Sequence, residues 1–357
     1  MPHLLVSIDT EEEGLFGSHY PTGNWQVGHL AELPRLQSLL DRFGVRPTYQ
    51  VTTPVVRDRL GSGYLKQFLD EGRCDIGAHL HPWATEPVAE PADHAHSMPC
   101  MLPIETVRRK LTTLTRQIRE RFGIQPVTYR SGRYGSAARH TPVLLELGYR
   151  IETSVCPFVS HADVGGPDYF NAPWQPYGLG EKDMLTPEPD ARLLCVPISA
   201  GFNCTCWRAA SRVYRCLNRP ALRWLHVIGL LYRLRLLRLI RLNPEMTSLE
   251  DMLALCRAMF RRRAAVFHLT FHSSNIGVGG TPYVPTRQAR DALLDRLAGV
   301  LDFLVAGHNV QPITAREYYE LRPSVASGPQ PNRVSEAPRA GRCFSGKQET
   351  ALVLPSE

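Results

Sequence analysis

The 357-residue chain has no run of eighteen uncharged apolar residues, so no membrane-spanning helix is expected. The signature of a secretory leader is also missing. Leu4-Leu5-Val6 runs directly into Ser7 and Asp9, with no basic segment before it and no long apolar core, so no cleavable signal peptide is expected. The nine cysteines are scattered, and the close pair Cys204-Thr205-Cys206 has neither the spacing nor the second pair of a structural zinc site. Reduced thiols of a cytoplasmic protein are expected instead of a disulfide framework. The glycines at 277, 279 and 280 lack a Walker lysine, which leaves a phosphate cradle there with little support. No internal repeat is present.

Acidic residues are missing from one stretch. Between Ala191 and Pro244 there are ten Arg, no Lys and no Asp or Glu, so this segment contributes +10 to a formal net charge of +7 and the remainder contributes −3. The basicity is local and no nucleic-acid module accompanies it, so no nucleic-acid partner is expected. Over 208–241, Leu225, Ile228, Leu231, Leu236 and Ile240 recur among Arg223, Arg233, Arg235, Arg238 and Arg241, with a break at Pro220. The pattern fits a helix lying on an anionic membrane with Trp224 below the headgroups. It equally fits two helices packed on the domain with their arginines reaching into water.

What the chain does contain is alternation of strand and helix. Leu4–Asp9, Thr48–Thr52, Cys74–His79, Val127–Arg130, Tyr149–Thr153, Leu193–Ile198, Ala264–Thr270 and Asn309–Ile313 read as strands. Leu30–Phe43, Tyr64–Gly72, Ile104–Phe122, Ala137–Leu147, Ser248–Phe260 and Pro285–Ala306 read as helices. Such units predict one α/β domain over 1–322, a closed or nearly closed (β/α) barrel, with an Arg-rich helical insertion at about 203–246. From Pro323 the composition turns to Pro, Ser, Gly and Ala without periodicity, which predicts a disordered tail over 323–357.

Four stretches concentrate chemistry. Asp9, His79, Arg130 and His272 all end predicted strands, the place where barrel enzymes carry their catalytic groups. Asp9 serves equally as a helix cap, but Asp9-Thr10-Glu11-Glu12-Glu13 gathers four carboxylates after a buried strand. His79-Leu80-His81 offers two imidazoles, and Arg130 a guanidinium able to hold a carboxylate bidentately. His268 shares a strand face with His272 and reads as a buried neighbour. His94 and His96 fall in a polar loop. Trp83, Tyr134 and Trp174 offer aromatic faces for a sugar ring, and core packing is the alternative for each.

Ser7-Ile8-Asp9-Thr10-Glu11, Gly77-Ala78-His79-Leu80-His81-Pro82, Tyr129 to Gly135 and Phe271-His272-Ser273 together resemble, in order, the motifs of the polysaccharide deacetylases, the NodB-like or carbohydrate esterase family 4 group. The likeness spans roughly Leu4 to Thr314. It departs from the family where Thr10 separates Asp9 from Glu11 and where one residue, not three, separates the two histidines, so this is a divergent branch. The resemblance implies a distorted (β/α) barrel and a hydrolase that removes N-acetyl groups from a carbohydrate, a surface polysaccharide or glycan precursor. It implies a divalent metal, zinc first, with cobalt, nickel, manganese or iron as alternatives, held by His79, His81 and Glu11.

By the same resemblance Asp9 is the general base, Arg130 orients it, and His272 is the general acid. A backbone N–H near Tyr134 would help to hold the oxyanion, and Trp83, Arg133, Tyr134 and Trp174 would contact the sugar. The expected location is the cytoplasm, with the inner face of the membrane, and peripheral contact through 208–241, as the alternative. Two other readings use the same residues: hydrolysis of a different non-peptide C–N bond, and an inactive glycan-binding protein.

Overall fold

Parallel strands need a crossover long enough to hold a helix, so short apolar runs separated by amphipathic segments dictate a helix-covered parallel sheet. The computed structural model of the chain, which describes residues 1–15, 20–219, 222 and 226–321, has that arrangement. The proposed tail, and Pro220, Arg223, Trp224 and Leu225 of the insertion, lie outside the described residues. The strands are β1 (His3–Thr10), β2 (Thr48–Val51), β3 (Asp75–Leu80), β4 (Thr128–Ser131), β5 (Ile151–Glu152), β6 (Tyr177–Leu179), β7 (Leu193–Cys195), β8 (Ala200–Phe202), β9 (Leu239–Arg241), β10 (Val266–His272) and β11 (Gln311–Pro312).

The main sheet runs β10-β1-β2-β3-β4-β5-β7-β6, with β11 paired to the first residues of β1. Its pairings are parallel except β6 with β7. β8 and β9 form a separate antiparallel ribbon. The chain after β7 bridges toward β10: Ser199 N–H donates to the His268 carbonyl and Thr270 N–H to the Leu242 carbonyl, both at 3.1 Å. Irregular chain thus stands where a regular barrel has a further strand, and the result is a distorted (β/α) barrel.

Local chemistry sets the helices. Ile104–Phe122 follows Pro103 and stops at Gly123, whose φ of +73° suits glycine. Arg59–Asp70 starts ahead of the predicted Tyr64, because the Asp58 carboxylate accepts from Gly61 N–H and caps it there. Ser248 caps Leu249–Arg261 and Thr286 caps Arg287–Leu301 in the same way. The predicted helix Ala137–Leu147 is a single 3₁₀ turn followed by Thr141–Glu146.

Between β8 and β9 the described residues of the insertion include the helices Trp207–Leu217 and Val227–Arg233. Trp207 anchors it in the core, with its indole N–H on the Phe202 carbonyl at 3.0 Å and its ring against Trp174 at 4.9 Å. Among the described arginines of this stretch, Arg235 bonds Glu250 and Arg238 bonds Asp251. Leu234 and Leu236 remain 57% and 63% exposed. The eight cysteines among the described residues are free thiols.

Candidate metal centre and active site

Strand register brings the chemical residues together. β1 pairs β10 so that Asp9 stands opposite His272, and β3 pairs β4 so that His79 stands opposite Arg130. His81 lies one residue past β3 with extended backbone, and residues two apart in extended chain share a face. The two imidazoles are therefore neighbours, with ring centroids 4.5 Å apart. Gly132 makes room for them, since a Cβ there would fall 2.5 Å from the Leu80 carbonyl and 2.8 Å from the His81 ring.

Glu11, His79 and His81 are buried, and their ligand atoms lie within 4.8 Å of one another. His79 Nε2 and His81 Nε2 stand 3.2 and 3.3 Å from Glu11 Oε2. Donors about 2.0–2.1 Å from a tetrahedral ion are roughly 3.4 Å apart, so the set has the size for one divalent cation. The far nitrogens are already engaged. His79 Nδ1 donates to the Arg130 carbonyl at 3.2 Å and His81 Nδ1 to Glu12 Oε1 at 2.8 Å. Each ring thus turns Nε2 toward Glu11, and two imidazole lone pairs beside a carboxylate oxygen repel unless a cation or proton stands among them. Burial works against the His81 imidazolium, yet the Glu12 and Glu11 carboxylates push its pKa up to about 10. Burial likewise works against the Glu11 carboxylate, but His272, His79 and His81 hold its pKa well below the usual range.

Asp9 sits beside this set. Arg130, fully buried, reaches both Asp9 carboxylate oxygens at 3.2 and 3.3 Å. His272 Nε2 is 3.8 Å from Asp9 Oδ2 and 4.0 Å from Glu11 Oε1. Its Nδ1 contacts both oxygens of Glu245 at 3.0 Å, and its backbone N–H donates to the same carboxylate. Asn275 and Asn243 complete the Glu245 shell at 2.7 and 2.9 Å. Burial disfavours the His272 imidazolium, but Glu245, Glu11 and Asp9 outweigh it and raise the pKa to about 10. The ring is therefore charged at neutral pH and able to give a proton.

These groups face a cavity of about 300 Å³. Of the residues expected from the sequence, Asp9, Glu11, His79, His81, Trp83, Arg133, Tyr134 and His272 line it. Arg130 lies beneath Asp9. Trp83 stacks on His81 at 4.3 Å and donates to Glu12, so it braces the histidine as well as lining the wall. Arg133 and Tyr134 both have left-handed backbone, φ +52° and +59°, a strained turn of a kind that collects at functional sites. Trp174 requires a correction: it packs on Trp207 and under Arg262, away from the cavity, and serves the insertion. His268 is wholly buried on the Ser7 hydroxyl at 2.8 Å, as scaffold. His94 contacts Tyr20 and the Val164 carbonyl and belongs to no metal-sized group among the described residues.

Sequence reasoning missed Glu12 and Glu245. Glu12 was visible only as one member of an acidic run. Glu245 had a signal, because it is the first carboxylate after the acid-free stretch that ends at Pro244. A third missed chain, Glu13–His29–Ser273, with contacts of 2.9 and 2.8 Å, ties the residue after His272 to the acidic loop. Ser273 is buried off the cavity, so this chain is a brace.

No family model and no curated protein matches the chain. Solved structures do. A protein from Parabacteroides distasonis described as a candidate glycoside hydrolase/deacetylase is 10% identical, with a TM-score of 0.59 over 89% of this chain and 71% of that one. The 4-alpha-glucanotransferase of Thermococcus litoralis is 10% identical with a TM-score of 0.51, over 90% of this chain but only 40% of the enzyme. A candidate polysaccharide deacetylase from Mycobacterium smegmatis is 17% identical with a TM-score of 0.48, over 92% and 95% of the two chains. At these identities the likeness is one of fold, and the distorted barrel expected from the motifs is the fold found.

Proposed function

We propose that the protein is a metal-dependent hydrolase of the NodB-like deacetylase group that removes N-acetyl groups from a carbohydrate. The observation that carries this reading is the single cavity at which a Glu11–His79–His81 donor set, an Asp9–Arg130 pair and a His272–Glu245 pair meet. A divalent cation, zinc by the donor set, supplies when bound a polarised carbonyl and a lower pKa for water.

The chain's own residues do the rest. Arg130 holds the Asp9 carboxylate in place, so that it takes the proton of the attacking water. His272, kept protonated and oriented by Glu245, gives a proton to the departing amine. Trp83 and Tyr134 offer aromatic walls to the apolar face of a sugar, and a backbone N–H near Tyr134 helps to hold the oxyanion. Peripheral contact with an anionic membrane on the cytoplasmic side, through exposed Leu230, Leu234 and Leu236 beside Arg233, belongs to the same reading.

Acetate release from N-acetylated mono- and oligosaccharides tests the proposal. Metal-loaded wild type releases acetate and Asp9→Asn does not, with the fold of the variant checked by its thermal melt. Release undiminished in folded Asp9→Asn would remove the base from the mechanism. Release of formate, or opening of a cyclic imide, without acetate would assign the site to another C–N bond.

A further inference from the structure

The cavity's charges are unequally matched. Its lining carboxylates all have partners: Asp9 has Arg130, Glu11 has His79 and His81, and Glu245 has His272. Its two lining guanidiniums, Arg133 and Arg241, have no carboxylate within ion-pair distance among the described residues. Arg133 donates to the Ser97 hydroxyl and lies over the Tyr20 ring at 5.5 Å. Arg241, the last residue of β9 and only partly exposed, makes no side-chain hydrogen bond among the described residues.

Burial sets Arg241 apart: Arg235 and Arg238 of the same segment are paired with Glu250 and Asp251, and the arginines described there without an acid, Arg192, Arg208, Arg212, Arg215, Arg219 and Arg233, are exposed to water. His161, a third lining residue, has a buried Nε2 without a hydrogen-bond partner. Burial first, then the charges of Arg241 and Arg133, outweigh the opposing carboxylates of Asp163 and Asp168 and push the His161 pKa down to about 4. Arg133 and Arg241 thus bring two positive charges without a carboxylate partner to the cavity wall. A cation held out of bulk water without a counter-charge destabilises the empty protein, and an anion arriving there removes that cost.

We propose that Arg241, with Arg133, forms an anion subsite in this cavity, and that the acetamido sugar it takes carries a phosphate or carboxylate group. The proposal rests on the reading of the cavity as a carbohydrate site. Guanidinium suits either anion, because its fork of N–H donors matches two oxygens of a carboxylate or phosphate.

Calorimetric binding to the full chain tests it with three probes: N-acetylglucosamine, N-acetylglucosamine 1-phosphate and an N-acetylated hexosaminuronate. Chelator-treated protein is used, so that phosphate has no metal to bind. Wild type is expected to bind one charged probe about tenfold or more tightly than the neutral sugar, the size of a charge-assisted contact. The tighter of the two charged probes identifies the anion. Arg241→Gln erases the preference without weakening the neutral sugar, Arg241→Lys keeps part of it, and raised NaCl shrinks it in wild type. Arg133→Gln reduces the preference and provides a second variant should Arg241→Gln fail to fold. Equal affinity for all three probes in wild type, or a preference that survives in folded Arg241→Gln, would overturn the subsite. Acetate release is scored separately: a preference without any release removes deacetylation and leaves the subsite, and release without preference does the reverse.

Discussion

Single residues decide how much chemistry this cavity holds. Asp9, Glu11, His79, His81, Arg130 and His272 were legible because each lies at or just past the end of a buried strand and carries a group that such a position does not need for folding. Glu12 and Glu245 were not legible, because their roles exist only through contacts across the fold: Glu12 on His81 at 2.8 Å and Glu245 on His272 at 3.0 Å. Carboxylates that orient metal-binding histidines are commonly worth 10–100-fold in affinity. Glu12→Gln is therefore expected to weaken metal binding about tenfold or more, read by competition with a chromogenic chelator. Glu245→Gln leaves metal content unchanged and lowers kcat about 100-fold with little change in KM, because it disturbs only the proton donor. An equal loss of metal in both variants would put Glu245 in the metal shell.

His268 makes a separate prediction about stability. Burial, followed by the charge of Arg130, holds its pKa down to about 3, so the folded protein keeps it neutral while the unfolded chain protonates it near pH 6.5. Its contribution is fully present above that pH and is lost as pH falls toward the folded value. At pH 5 the loss is about 2 kcal/mol. The unfolding midpoint in urea is expected to fall between pH 7 and pH 5, and less so in His268→Gln. An unchanged slope in that variant would show that other groups carry the acid sensitivity.

At the level of elements, the half-turn between adjacent motif positions explains why the His79–His81 spacing works. Extended chain places residues two apart on one face, whereas a helix would need three or four. The short strands β6, β8 and β9 escaped a reading by periodicity because three residues give alternation no room to appear. Trp207 anchors the insertion, with Trp174 as its neighbour, so the expected sugar contact at Trp174 is replaced by a structural one. Trp207→Ala is expected to cost about 3–5 kcal/mol in chemical denaturation, and Trp174→Ala to lower stability without changing KM for sugar. A raised KM in folded Trp174→Ala would return that residue to the substrate.

Across the whole molecule, a barrel whose sheet leaves part of its wall to irregular chain places the Arg-rich segment directly against the cavity. Arg241 lines the site while Leu234 and Leu236, a few residues earlier, face outward. That continuity predicts sedimentation with liposomes containing anionic phospholipid at low salt, reduced in a Leu234→Glu, Leu236→Glu variant. Absence of sedimentation at any salt concentration would confine the segment to packing. No helix among the described residues is long and apolar enough to cross a membrane.

The central claim is that one divalent cation on Glu11, His79 and His81 makes this cavity a deacetylase. Its most direct test is acetate release during removal and restoration of metal. The account predicts that chelation abolishes release, that about one equivalent of divalent cation per chain restores it, and that folded His81→Ala is restored by none. Release that persists in metal-free protein, or that returns equally in His81→Ala, would contradict it.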